Sequence, residues 1–168
     1  TREMLKISKT CKNLKLFCHI STAYCHLKER VLLEQFYPTV DPNEAMKIAE
    51  ENDVAQTEEI FSKYLNRNIP NSYVFTKALT ETLIVESKLP VLICRPAIVT
   101  QTYEFPMSGW TDNLNGMTAM IASSCMGIMR SADCSGENYM NVVPVDYAIS
   151  NIMVASWNHL KMPQESLG

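Results

Sequence analysis

Apolar and polar positions divide this chain into short runs with two different periods. Residues 1–15 set Met4, Leu5 and Ile7 among Lys6, Lys9 and Lys12, an amphipathic helix already under way at Thr1. Residues 14–20 are mostly apolar and break off at the hydroxyl pair Ser21-Thr22, which predicts a short buried strand. Such a run belongs in a sheet covered by helices on both faces. Residues 31–40 form an irregular, partly apolar connection containing Pro38. Asp41-Pro42-Asn43-Glu44 predicts a helix start: Asp41 caps, Pro42 suits the first turn, and Glu44 closes a capping box. Ala45, Met46, Ile48 and Ala49 then supply an apolar face. Thr57 is the expected cap of a following helix, with Ile60, Phe61, Tyr64 and Leu65 inward. Pro70 closes this helical insert of residues 38–70.

Residues 72–88 carry the clearest helical pattern, with Val74, Ala78, Leu79, Thr82, Leu83 and Val85 on the packing side and Pro90 beyond its end. Val91-Leu92-Ile93-Cys94 predicts a second buried strand, which Arg95-Pro96 ends because proline has no amide for a central ladder. Residues 112–116 are turn-rich, residues 117–129 predict a Met-rich helix, residues 141–145 a short strand and residues 145–160 a last helix. There are no repeats, low-complexity tracts or flexible linkers. Helices alternating with strands in this order predict an α/β fold with a parallel sheet.

Composition narrows the class. The 168 residues suit one domain, and a formal charge of -3 argues against a surface built for nucleic acid. The longest charge-free stretch, residues 113–129, contains Asn, Gly, Thr and Ser and falls short of the ~20 apolar residues a membrane helix needs. The start at Thr1, without Met and in mid-helix, reads as a piece of a longer protein. Six cysteines, at 11, 18, 25, 94, 125 and 134, make no CxxC pair and read as structural thiols in a reducing compartment. Cys18-His19 and Cys25-His26 suggest zinc only weakly, since neighbours on a strand point to opposite faces; no metal site is expected.

The residues for chemistry are few. Tyr73 and Lys77, four apart, share one helix face. A cation beside a phenol stabilises the phenolate, which suits a proton relay at neutral pH. Tyr and Lys at this spacing also arise by chance, leaving Lys77 a solvated charge and Ser21 and Thr22 mere strand-end caps. Their order favours chemistry. Ser21-Thr22 ends a buried strand, and ligands of open α/β sheets bind at the carboxyl ends of strands. Tyr73 and Lys77 open the next long helix, and a further strand ending in Arg95-Pro96-Ala97-Ile98-Val99 follows. A hydroxyl, a phenol and a lysine in this order suit carbonyl reduction.

Five blocks together resemble the fatty acyl-CoA reductases, members of the extended short-chain dehydrogenase/reductase superfamily. They are Phe17-Cys18-His19-Ile20-Ser21-Thr22-Ala23-Tyr24-Cys25; Asn71-Ser72-Tyr73-Val74-Phe75-Thr76-Lys77-Ala78-Leu79; and Leu89-Pro90-Val91 running on to Arg95-Pro96-Ala97-Ile98-Val99. Gly109-Trp110-Thr111-Asp112-Asn113-Leu114-Asn115-Gly116 and Val143-Pro144-Val145-Asp146 complete the set. Tyr-x-x-x-Lys marks only the superfamily; the Ser-Thr-Ala-Tyr-Cys and Gly-Trp-x-Asp-Asn-x-Asn-Gly blocks are far more specific. The blocks keep family order over roughly residues 1–158.

The resemblance implies a Rossmann-type parallel sheet of which residues 1–168 hold only the C-terminal portion. It implies reduction of a long-chain fatty acyl-CoA to a fatty alcohol through an aldehyde, with two NADPH. On that reading Tyr73 donates the proton, Lys77 holds the nicotinamide ribose, and Thr22 hydrogen-bonds the substrate carbonyl. Ser21 is the lesser candidate for that bond and lies on the cofactor side. Pro96, Ala97, Ile98 and Val99 line the nicotinamide. The Gly-rich turn that cradles pyrophosphate is absent: the five glycines, at 109, 116, 127, 136 and 168, make no GxxGxxG. The resemblance places that turn and the first strands upstream, and any membrane-associating segment downstream. It implies a location at the cytosolic face of a peroxisomal or endoplasmic reticulum membrane. Two rivals stay open: a relative acting on a nucleotide sugar or steroid, and a non-catalytic relative kept for binding.

Other features have plainer readings. Met117, Met120, Met126 and Met129 read as core in preference to an acyl-chain tunnel. Trp110 either closes the substrate region or pins a loop, Arg95 pairs with a phosphate or a carboxylate, and His26 reads as a surface residue.

Overall fold

The computed structural model describes residues 1–64 and 69–161, in two compact units, 1–95 and 96–161. Leu65, expected on an inner helix face, lies outside the described residues. Among those residues, no helix is long and apolar enough to cross a membrane.

The first unit opens with α1 (Arg2–Thr10), which turns Leu5 and Ser8 inward. It is shorter than the pattern of residues 1–15 predicts. Cys11 is already extended, and the chain runs on until the Phe17 amide donates to the Pro90 carbonyl at 2.7 Å. That bond starts a parallel ladder between β1 (Phe17–Ile20) and β2 (Val91–Cys94), with Phe17 opposite Val91 and Ile20 opposite Cys94. One more bond, from the Ser21 amide to the Cys94 carbonyl at 2.7 Å, prolongs the pairing past the end of β1.

Between the strands come α2 (Pro42–Glu51), α3 (Val54–Ser62) and α4 (Ser72–Glu86). Asp41 caps α2 through the Asn43 amide at 2.8 Å. The reciprocal capping box belongs to α3, and its cap is Asp53, correcting Thr57. The Asp53 carboxylate accepts from the Gln56 amide at 2.8 Å, and the Gln56 side chain accepts from the Asp53 amide at 3.2 Å. A carboxylate one turn earlier satisfies the orphan amides first, so Thr57 falls inside the helix with its hydroxyl unpaired. Phe61 and Tyr64 pack on Phe75 of α4, with ring centroids 5.3 and 5.7 Å apart. The core gathers along α4, where Val74, Phe75, Ala78 and Ile84 are buried. Its end is set by Lys88, at φ 56° in the left-handed region, two residues before Pro90.

The second unit holds β3 (Ile98–Thr100), α5 (Gly116–Cys125), β4 (Val142–Pro144) and α6 (Val145–Lys161). β3 and β4 pair in parallel, Ile98 opposite Val142. The strand pattern ending at Arg95-Pro96 does not predict β3, a three-residue strand with β4 as its partner. α5 ends earlier than predicted, because Gly127 takes φ 70° just past its cap. The methionines are not core: α5 buries no residue, and Met120 and Met126 are exposed. A helix built almost wholly of small and apolar residues has no polar face to mark which side is inward. All six cysteines are free thiols, with Cys25 buried, Cys94 half-buried and the others exposed. Both units have short parallel sheets flanked by helices, the expected α/β class and a partial Rossmann-like arrangement.

Candidate active site

The site is built where β1 ends against α4. Asn71 caps that helix, its side chain accepting from the Val74 amide at 3.0 Å, and so fixes where the first turn begins. Tyr73 stands in this turn, exposed by 55%. One turn on, the Lys77 Nζ lies 5.9 Å from the centre of the Tyr73 ring. The same ammonium donates to the Ile20 carbonyl at 3.1 Å, tying the helix to the last residue of β1. An ammonium has three donors, so two remain for a ligand.

Ser21 and Thr22 are both buried, in the turn that follows β1. The Thr22 Oγ1 accepts from the Tyr24 amide at 3.3 Å, which leaves its own hydrogen to donate. The Thr22 carbonyl accepts from the Cys25 amide at 3.4 Å and lies 3.0 Å from the Cys25 Sγ. Ser21 Oγ reaches the same sulfur at 3.8 Å.

Beneath this turn is a group that the helical pattern of α4 does not flag. Glu81, one turn beyond Lys77, is completely buried. Its Oε1 accepts from the Arg95 Nε at 3.0 Å and lies 3.2 Å from the Cys25 Sγ. Its Oε2 accepts from the Arg95 Nη2 at 2.8 Å and from the His26 Nε2 at 2.9 Å. Burial pushes the Glu81 carboxyl upward. Hydrogen bonds from His26 and Arg95, with smaller ones from Ser21 and Cys25, reverse this and hold it well below the usual carboxylate range. The Cys25 thiol is pushed up to about 11 by burial and by Glu81, so it is protonated and serves as a donor.

His26 is therefore no surface residue. Its side chain is 8% exposed, and its ring lies 4.8 Å from that of Tyr37. Position 26 looks polar and dispensable in sequence, but its carboxylate partner is 55 residues away. For Arg95 the structure decides in favour of a salt bridge, and its guanidinium also donates to the carbonyls of Leu33 and Gln35 at 3.4 and 3.2 Å.

Cys25, His26 and Glu81 bring donor atoms within 4.8 Å of one another, close enough for a metal ion. Both Glu81 oxygens already serve the Arg95 guanidinium, whose charge opposes a dication, and the thiol holds its proton. This is a hydrogen-bonded ion cluster. His19, half-buried on β1, has its pKa lowered by burial and by the charge of Lys77.

Ser21, Thr22, Tyr73 and Lys77 thus belong to the first unit. Pro96, Ala97, Ile98 and Val99 open the second, Ile98 donating from its amide to the Asn141 carbonyl at 3.1 Å. There Trp110 is 44% exposed and its backbone is pinned by Thr102, whose Oγ1 accepts from the Trp110 amide at 2.9 Å. The Asp146 carboxylate, at the start of α6, accepts from the amides of Tyr103, Glu104 and Phe105 at 3.0, 2.9 and 3.1 Å. These bonds, the Tyr103 amide foremost, hold its pKa down at about 2.

An exposed phenol and an ammonium with unused donors, side by side at the carboxyl end of a parallel strand, fit a nicotinamide ribose and a reducible carbonyl. Over 161 residues the chain is 35% identical to the fatty acyl-CoA reductase wat of Drosophila melanogaster, covering 94% of this chain and 31% of the relative. It is 34% identical over 160 residues to fatty acyl-CoA reductase 1 of Homo sapiens and of Rattus norvegicus, with the same coverage. The chain therefore spans about a third of the length of these relatives. Residues 1–152 match the NAD-binding family described as male sterility protein, and the chain belongs to that family.

Proposed function

We propose that this chain is the distal part of the reductase domain of a fatty acyl-CoA reductase. That enzyme would reduce a long-chain acyl-CoA to a fatty alcohol and free CoA, consuming two NADPH and two protons through an aldehyde. The observation that carries the reading is the junction of α4 and β1, where Lys77 spans from the Tyr73 ring to the Ile20 carbonyl. The sequence similarity to fatty acyl-CoA reductases supports the substrate class.

The nicotinamide, when bound, supplies the hydride. The chain supplies the rest. As negative charge builds on the carbonyl oxygen, the Thr22 hydroxyl donates a hydrogen bond to it, and a donor placed beforehand stabilises that state more than the ground state. In the aldehyde step the Tyr73 hydroxyl gives its proton to the alkoxide. Lys77 holds the ribose hydroxyls with its unused donors, and its charge stabilises the phenolate that is left. Ser21, beside Thr22 in the same turn, stands on the cofactor side. Parts of the protein outside this segment provide the pyrophosphate site and the attachment to a peroxisomal or endoplasmic reticulum membrane.

The test uses the full-length protein with NADPH, offered a long-chain acyl-CoA or a panel of nucleotide sugars and steroids. Acyl-CoA is expected to be reduced and the others not. Tyr73→Phe should lower alcohol formation by about 10²-fold or more with NADPH affinity largely kept. Full activity in that variant removes Tyr73 from the mechanism, and turnover of a sugar nucleotide or steroid instead of acyl-CoA overturns the substrate class.

A further inference from the structure

We propose that Glu81 is a positioning residue for this reduction: its buried carboxylate holds the turn after β1 so that the Thr22 hydroxyl and the Tyr73 phenol serve one carbonyl oxygen. The inference rests on the reading of the site given above and names a residue that touches neither substrate nor cofactor.

Tyr73, Lys77 and Glu81 follow one another at four-residue steps, so three successive turns of α4 present a phenol, an ammonium and a carboxylate on one face. The ammonium holds the Ile20 carbonyl, and the carboxylate holds Cys25 and His26. Thr22 lies between these two anchors in the chain. Its carbonyl is tied to Cys25 by the amide at 3.4 Å, and the Cys25 Sγ lies between that carbonyl and Glu81, 3.0 and 3.2 Å from them. The helix that carries the proton donor therefore also grips, on either side, the turn that carries the carbonyl ligand.

Stability alone does not call for such a residue. An apolar side chain of similar volume, replacing a buried ion pair together with its partners, is often neutral or stabilising. What a carboxylate adds is direction: three converging side chains, Cys25, His26 and Arg95, meet its two oxygens in one arrangement. Arg95 carries that order to the end of β2 and to the loop carbonyls of Leu33 and Gln35. Catalytic groups displaced by about 1 Å can lose about 10²-fold in rate.

The test is a double-mutant cycle in the full-length protein between Glu81→Gln and Thr22→Val, read as kcat and KM for acyl-CoA and NADPH. Glu81→Gln should lower kcat by about 10- to 100-fold and leave the KM for NADPH within about twofold. In the Thr22→Val background it should cause no further loss, since nothing remains to be positioned. If Glu81→Gln does not accumulate as folded protein, Cys25→Ala tests the same link without stranding a charge. It should cost less, again only when Thr22 is present, and Cys25→Ser, which keeps a donor, should recover most of the loss. Losses that multiply in the cycle, or that appear only in the KM for NADPH, overturn the positioning role and leave the reductase reading intact. A wild-type protein that fails to reduce acyl-CoA overturns that reading and this proposal with it.

Discussion

Glu81 shows how one charge in this chain depends on its neighbours. Its carboxyl group would resist ionisation at so buried a place without the Arg95 and His26 donors, and the guanidinium would be equally stranded without it. The folded-state pKa lies below the ordinary carboxyl value of 4.5. The stability this group contributes is therefore complete above 4.5 and is lost as pH falls from there toward the folded-state value. Glu81→Gln should destabilise by about 3 kcal/mol near neutral pH, because the Arg95 charge is left without its counter-ion. The gap in apparent Tm between wild type and variant should narrow as pH falls from 4.5 toward the folded-state value. Thermal scans across that range check it. A gap that widens below pH 4.5 would mean that the group is not ionised when folded.

At the scale of elements, α4 does most to organise the first unit. It buries Val74, Phe75, Ala78 and Ile84 on one side and carries Tyr73, Lys77 and Glu81 toward the end of β1. Its start depends on one side chain. Asn71→Ala removes the acceptor for the Val74 amide and should cost about 1 kcal/mol, measured as a lower urea midpoint with an unchanged slope. Activity should fall with it, because Tyr73 stands in the turn that frays. Much of this was legible in the chain. The four-residue spacing of Val74, Ala78 and Thr82 marks the helix, Pro90 marks a boundary beyond it, and Pro96 marks the end of the strand before it. For α3 the apolar pattern predicts a helix, but its cap is Asp53 and not Thr57, because the backbone decides which amides are left orphaned. β3 was not legible at all: three residues carry too little period, and Ile98-Val99-Thr100 becomes a strand through pairing with β4.

For the whole segment, the proposed catalytic residues stand without a dinucleotide fingerprint turn in the same 168 residues. Its five glycines form no fingerprint turn, and it spans 31% of the relatives it matches. The 168-residue segment by itself is accordingly expected not to consume NADPH with a long-chain acyl-CoA, followed by NADPH absorbance; turnover at the rate of the full-length enzyme would sink that expectation. Within its second unit, α6 leaves Ile149, Met153, Trp157 and Leu160 exposed at helical spacing.

What the sequence determined by itself is local. It set the helical period that puts Tyr73 and Lys77 on one face, the prolines that end strands and helices, and the alternation of elements that makes the class α/β. Each depends on residues a few positions apart, which interact whatever the rest of the chain does. The tertiary structure alone decided that His26 is inside, that Arg95 answers a carboxylate, and that Cys25 links Thr22 to Glu81. Those partners stand 55, 14 and 56 residues from Glu81, and no periodic pattern connects them. They meet because β1 pairs with β2 and α4 packs beside them, and once water is excluded a buried charge must find its hydrogen bonds there.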